Sequence, residues 1–153
     1  MEAMTDPRYF VDIQLRWGDM DAFGHINNVE YVRLLEQARV VGLTDWFAGT
    51  DVDLLRTGVL VARQEIEYLA QLAYRSAPIR ITMWVSRISG GSFDIGYEVR
   101  DPADVGEQLY ARAETTMVCY DLVEGRSRRL SEGERGAFER MRGPEVPFRR
   151  RQR

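Results

Sequence analysis

Residues 9–17, YFVDIQLRW, alternate: Val11, Ile13, Leu15 and Trp17 fall on one side, Asp12, Gln14 and Arg16 on the other. A period of two predicts a half-buried strand. From Tyr31 the period changes. Tyr31, Leu34, Leu35, Ala38 and Val41 recur at steps of three and four or close to them, which describes one face of a helix. Asn27 followed three residues later by Glu30 is an Asn form of the capping box, so the helix should begin near Asn27 or Asn28. Gly42 weakens the helix without ending it, since Leu43, Trp46 and Phe47 extend the apolar face.

Residues 51–58 read as a loop or short helical turn. Strand-like segments follow. VLVARQEIEYL (59–69) alternates only loosely. IRITMWVSRI (79–88) and SFDIGYEVR (92–100) each put four apolar residues on one side, and QLYARAETTMVCYDL (108–122) is the longest. Ala77-Pro78, Gly90-Gly91, Asp101-Pro102 and Gly106 separate them as turns. Ser131 and Glu134 form a second capping box, with Ala137, Phe138 and Met141 facing inward on a minor helix.

The expected architecture is α+β: a strand, a long helix, then four strands as an antiparallel meander, with the helix buried on a curved sheet. One domain spans residues 1–145. Residues 146–153, ending RRRQR, form a basic tail expected to be flexible. The second face of 108–122 is mixed, so solvent or a partner subunit must cover it.

Composition narrows the field. The chain has 153 residues, ordinary apolar and charged fractions, and a net charge of −3. That charge supplies no bulk attraction to nucleic acid or an anionic membrane. No apolar run approaches the ~20 residues that span a bilayer, and MEAMTDPRYF has no basic start or apolar core of a secretion signal. One Cys and one His exclude an internal disulfide and disfavour a zinc site of the usual N/S kind; a reducing cytoplasm is the simplest setting. All 21 basic residues are Arg, a bias of base composition rather than of phosphate binding.

The exception to this ordinariness is GDMDAFGHINNVEY, residues 18–31. It gathers two carboxylates, the single histidine and two asparagines where strand hands over to helix. A folding core does not require such a cluster. The longer run RWGDMDAFGHINNVEYVRLLEQAR resembles the signature of hotdog-fold acyl-thioesterases, in the branch of 4-hydroxybenzoyl-CoA thioesterase. Asp19, Asp21, Gly24, His25, Asn27, Asn28 and Tyr31 carry the match, and residues 63–89 are similar to that family's second and third strands. The resemblance extends over roughly residues 8–122. It implies a sheet wrapped around the helix, subunits paired edge to edge as a homodimer or homotetramer, and active sites at the subunit interface. It also implies an acyl-CoA or acyl-carrier-protein thioester as substrate, with no separate cofactor, since coenzyme A belongs to the substrate.

Thioester hydrolysis needs an activated water or a nucleophile, and a donor for the carbonyl oxygen as it gains charge. A carboxylate supplies the first; unpaired amides opening a helix supply the second. By motif position Asp21 corresponds to the family's catalytic carboxylate, as general base or nucleophile; by local chemistry alone it is a turn aspartate. His25 either serves the reaction or shapes the loop. Asn28 corresponds to the residue whose amide meets the thioester carbonyl. Asn27 reads as a cap, Gly24 as a position needing an unusual backbone angle, and Asp19 as structural. Tyr31 follows in the motif. Tyr68 and Tyr74 either line an acyl channel or simply pack. Glu65 lies where another branch carries a catalytic Glu, but reads here as a strand residue. Arg87 is the nearest basic group to the turn where relatives hold nucleotide phosphates; its alternative is a solvated strand-end charge. A non-catalytic acyl-thioester binding protein is the rival from another class.

Overall fold

In the computed structural model, residues 8–152 are described. Residues 1–7, read above as part of a start without a secretion signal, and the final Arg153 lie outside them.

The elements run β1 (Tyr9–Ile13), α1 (Asn28–Trp46), α2 (Leu54–Thr57), β2 (Val59–Tyr68), β3 (Ile79–Ile88), β4 (Ser92–Arg100), β5 (Leu109–Asp121), β6 (Arg126–Ser127) and α3 (Glu132–Arg140). The strands form one antiparallel sheet in the order β1-β3-β4-β5-β2, with β6 paired to β5. Its inner face presents Ile81, Met83 and Val85 of β3, Phe93, Ile95 and Tyr97 of β4, and Ala113 and Met117 of β5, all buried in one cluster with the apolar stripe of α1. Of the predicted stripe, Val41 is not buried, at 39% exposed, because at about 100° per residue it lies on the flank away from Leu35 and Trp46. Most of the stripe is buried, namely Tyr31, Leu34, Leu35, Ala38, Leu43 and Trp46. Gly42 lies on the same face, where an added Cβ would meet Met83 Cε at 2.9 Å. The helix tolerates the glycine because the sheet passes too close for a side chain.

Two expectations are corrected. Only β3, β4 and β5 form a meander. β2 lies at the far edge, paired with β5 from Val59↔Cys119 to Tyr68↔Ala111, so the chain crosses two strands before entering β3. β1 is also shorter than its alternation suggested. Ile13 pairs with Ile79, the first residue of β3, so beyond it there is no strand to bond. Leu15 stays buried, but Trp17 is 75% exposed in a 3-10 turn, Trp17–Asp19.

The tail differs too. β1 covers only the first half of β3, and the segment after α3 covers the second: Val85 N–H donates to Met141 O and Gly143 N–H to Val85 O, both at 2.9 Å. The chain then crosses the outer sheet face, burying Val146 and Phe148 with Trp84. Trp84 Nε1 donates to Pro144 O at 2.7 Å. The Arg149 N–H donates to the Glu67 carboxylate, and Arg151 bonds Glu114 and Glu65. Residues 146–152 are thus a strap laid over the sheet, not a loose tail. The capping box of Ser131 and Glu134 forms as predicted, and Phe138 stacks on Phe93 with centroids 4.0 Å apart.

Candidate active site

The polar connection folds through its own hydrogen bonds. Asp21 N–H donates to His25 O at 2.8 Å and Gly24 N–H to Asp21 O at 3.2 Å, closing a tight turn. Gly24 sits at φ +78°, the left-handed region that the sequence had marked as its reason. Asp21 Oδ1 accepts from Phe23 N–H at 2.8 Å and His25 N–H at 3.2 Å, which is the turn-aspartate role. Its other oxygen, Oδ2, has no hydrogen-bond partner among the described residues.

The turn is sewn to residues 72–74, the loop between β2 and β3. Ile26 N–H donates to Leu72 O at 2.7 Å, Tyr74 N–H to Gly24 O at 3.4 Å, and His25 bridges Ala73. Asp19 anchors the other side. Its side chain is fully buried, accepting from Arg16 N–H at 2.9 Å, Arg16 Nε at 3.0 Å and Arg33 at 2.9 Å. Burial alone would raise its pKa, but the Arg16 bonds and the Arg33 charge hold it below the ordinary carboxylate value. Its carbonyl also takes Asn27 N–H at 2.9 Å. Asp19 therefore joins the loop, the helix start and the second turn of α1.

α1 opens as predicted. Asn27 caps it, with Oδ1 accepting from Val29 N–H at 3.1 Å. The reciprocal half of the box does not form, because the Glu30 carboxylate turns to Arg33 and Arg16. The amide of Asn28 has no acceptor among the described residues, which leaves a free donor at the positive end of the helix.

Asp21, His25, Ile26, Asn28 and Tyr31 line one cavity of about 210 Å³, and Tyr68, Ala70, Gln71 and Leu72 close it from β2 and the following loop. The rings of Tyr31 and Tyr68 meet edge to face with centroids 5.1 Å apart, and Tyr68 donates its hydroxyl to Asn28 O at 3.1 Å. Burial, with Tyr68 and Tyr110 nearby, pushes the Tyr31 hydroxyl up to about 12, so it stays protonated at neutral pH. Larger hollows lie elsewhere. One of about 440 Å³ sits between the end of α1 and residues 47–54, but its one carboxylate, Asp53, is taken up capping α2. Chemistry, not size, singles out the smaller cavity.

Four of the residues singled out from sequence, Asp21, His25, Asn28 and Tyr31, thus share a wall, and Tyr68 joins them. Gly24 and Asn27 shape that wall without lining it. Tyr74 serves through its backbone. Arg87 is not brought in: it bonds Asp94 at 2.8 Å and lines a separate cavity with Ser86 and Glu114. Glu65 is held by Arg63 and Arg151, the strand role expected of it. Ile26, Ala70, Gln71 and Leu72 were missed. The loop 69–78 lacks a periodic signal, and only the pairing with 24–26 brings it near.

Asp21 and Asn28 line one small cavity, and a carboxylate oxygen and a helix-opening amide, each without a partner among the described residues, are groups that can act on an electrophilic carbonyl: the first as base or nucleophile, the second as oxyanion donor.

A profile of the thioesterase-like superfamily matches residues 15–147. No curated protein matches. Among solved structures, a Xanthomonas campestris protein provisionally assigned as an acyl-CoA thioesterase is 32% identical, with 74% of this chain and 93% of that one covered and a TM-score of 0.63. A predicted thioesterase from Bacillus stearothermophilus is 20% identical over 89% of this chain and 97% of that one, TM-score 0.77. A Thermus thermophilus thioesterase complexed with coenzyme A and Zn is 22% identical over 86% and 92%, TM-score 0.72. The last two likenesses carry the fold, α+β with the sheet wrapped on one helix.

Proposed function

The chain belongs to the thioesterase-like superfamily, and we propose that it hydrolyses acyl-CoA thioesters to a carboxylic acid and free thiol. The observation that carries this is that Asp21 and Asn28, each with a group left unsatisfied among the described residues, line one cavity. Asp21 removes a proton from water, whose oxygen adds to the acyl carbon. Direct attack by the carboxylate, followed by hydrolysis of the anhydride, is the other use of the same oxygen. The Asn28 amide donates to the carbonyl oxygen as its charge grows, and a donor of this kind is worth about 3 kcal/mol. The C–S bond then breaks and the thiolate takes the proton. His25, on the same wall, relays that proton from Asp21 to the departing sulfur. Ile26, Leu72 and the tyrosine pair supply the apolar wall for the acyl group. The coenzyme A in the T. thermophilus structure favours that carrier over a carrier protein.

We further infer that the active form is a homodimer. The outer edge of β2 has no partner strand among the described residues, and Leu60, Val61 and Tyr68 on it are 45%, 43% and 46% exposed. Pairing two such edges extends the sheet and brings a second copy beside Tyr68, at the mouth of the cavity. The reducing cytoplasm is the compartment that suits a single buried cysteine; no helix among the described residues is long and apolar enough to cross a membrane.

The test is thiol release from short, long and aromatic acyl-CoAs by the purified protein and its Asp21→Asn variant. The variant keeps Oδ1 for the turn, so it should fold normally and lose about 10²–10⁴-fold in kcat. Unchanged turnover removes Asp21 from the mechanism. Tight acyl-CoA binding without thiol release by the wild type makes the protein a binder instead.

A further inference from the structure

The loop 69–78 closes the cavity through Ala70, Gln71 and Leu72, yet it contains no helix or strand of its own. Its position therefore depends on what it bonds. Among the described residues, its long-range backbone bonds run to two places. On one side Ile26 N–H donates to Leu72 O and Tyr74 N–H to Gly24 O, the bonds that sew it to the turn of Asp21. On the other, the Leu69 and Ala70 N–H groups both donate to Tyr110 O on β5, at 2.8 and 3.2 Å.

Tyr110 holds the loop a second time through its side chain. Arg75 Nη1 donates to Asp101 Oδ1 at 2.6 Å and to the Tyr110 hydroxyl at 3.1 Å. Tyr110 in turn donates its hydroxyl to the same Asp101 oxygen at 2.7 Å. Arg75 Nη2 donates to Pro78 O at 2.9 Å and Nε to Ala77 O at 3.3 Å, so one planar fork gathers the end of the loop. Asp101 is fixed by its own turn: Gln108 N–H donates to its Oδ2 at 3.2 Å, and Asp101 N–H to Gln108 O at 2.9 Å. Both Asp101 and Tyr110 are buried. Burial alone would raise the Asp101 pKa, but the Tyr110 and Arg75 bonds hold it below the ordinary carboxylate value. A buried polar network whose members all have partners stiffens what it touches. Tyr110 is also one of the neighbours that push the Tyr31 hydroxyl up, which puts the cluster beside a ring that lines the cavity.

The two sides of the cavity differ in what they need. The turn of Asp21 closes on its own bonds, with Asp21 N–H on His25 O and Oδ1 accepting from Phe23 and His25. Residues 70–72 have no such closure. We propose that Arg75, Asp101 and Tyr110 are positioning residues that set the acyl side of the cavity: they hold residues 70–72 against the turn of Asp21 and so determine how tightly an acyl group is gripped. The inference rests on the acyl-CoA reading above and specifies what shapes its acyl wall. Loosening the cluster moves that wall and leaves the reacting groups where they are.

The experiment measures Kd by isothermal titration calorimetry for hexanoyl-CoA, benzoyl-CoA and free coenzyme A, with Asp21→Asn as the parent so that the esters survive. Into that parent go Arg75→Met, Tyr110→Phe and the two together, and circular dichroism verifies folding. Arg75→Met should raise the Kd of the tighter ester about fivefold or more and that of free coenzyme A less than about twofold, because only the acyl group meets the wall. Tyr110→Phe removes one hydroxyl and keeps the ring; it should act in the same direction to a smaller extent, and it decides the matter if Arg75→Met does not fold. The double variant should bind the ester no more than about twofold worse than Arg75→Met alone, since the side chains act as one unit. With Asp21 restored, Arg75→Met should raise KM and leave kcat within about threefold. Equal losses for esters and free coenzyme A, or unchanged ester binding in folded variants, overturn the positioning role while leaving the acyl-CoA reading intact. A parent that binds neither ester overturns that reading, and the acyl wall with it.

Discussion

Replacing Asp19 by Asn tests how the active-site loop is held. The carboxylate is fully buried and receives the Arg16 N–H, the Arg16 side chain and Arg33 at 2.9–3.0 Å. Asn keeps the shape and one acceptor but loses the charge and one charge-assisted bond, which costs about 1.5–3 kcal/mol. The two arginines are partly exposed, at 60% and 33%, so water reclaims some of what they lose. That places the expected loss at about 2 kcal/mol at pH 7, below the ~3–5 kcal/mol of a fully buried broken pair. The pH dependence has a definite sign. The pKa of Asp19 is lowered in the fold, so its contribution is complete above the unfolded value and disappears as pH falls through the folded one. Urea unfolding of wild type and Asp19→Asn at a series of pH values measures this directly. The gap should be full at pH 7 and close in acid, below the ordinary carboxylate range. Equal stabilities at pH 7, or a gap that persists unchanged into acid, would refute the ionic anchor.

Gly24→Ala should cost about 1–2 kcal/mol by chemical denaturation, since φ +78° disfavours any Cβ while nothing lies within 4 Å to clash. Gly24→Asn should cost less, because Asn tolerates that region. Phe148→Ala should cost about 3–5 kcal/mol: the ring is fully buried over Trp84, and a thermal melt unchanged by the substitution would mean the strap does not hold.

Much of the fold was legible locally. The limits of β3 and β4 fall where alternation placed them, α1 starts after Asn27, and Ser131 opens α3. Caps, turns and side-chain period act within a few residues, so the chain carries them openly. The same holds for the polar loop, whose Asx bonds and positive-φ glycine are contacts within four residues. The family signature in that loop added what no period encodes, the expectation that Asp21 and the Asn28 amide serve one reaction.

What local pattern did not contain was adjacency. The loose alternation of β2 marked a strand but not the edge it joins, and that choice went to β5. β1 stopped where β3 ran out of residues to bond, although the alternation continued to Trp17. A tail rich in arginine looked loose because its partners, Glu65, Glu67 and Glu114, lie more than thirty residues away. Arg87 was drawn to Asp94 across the hairpin rather than toward the cavity. The elements, their caps and the chemistry gathered before the helix could all be read along the chain. Which elements meet, which loop closes the cavity and which charges find partners emerged on folding. Those outcomes depend on contacts between distant residues, whose energies no stretch of chain carries alone.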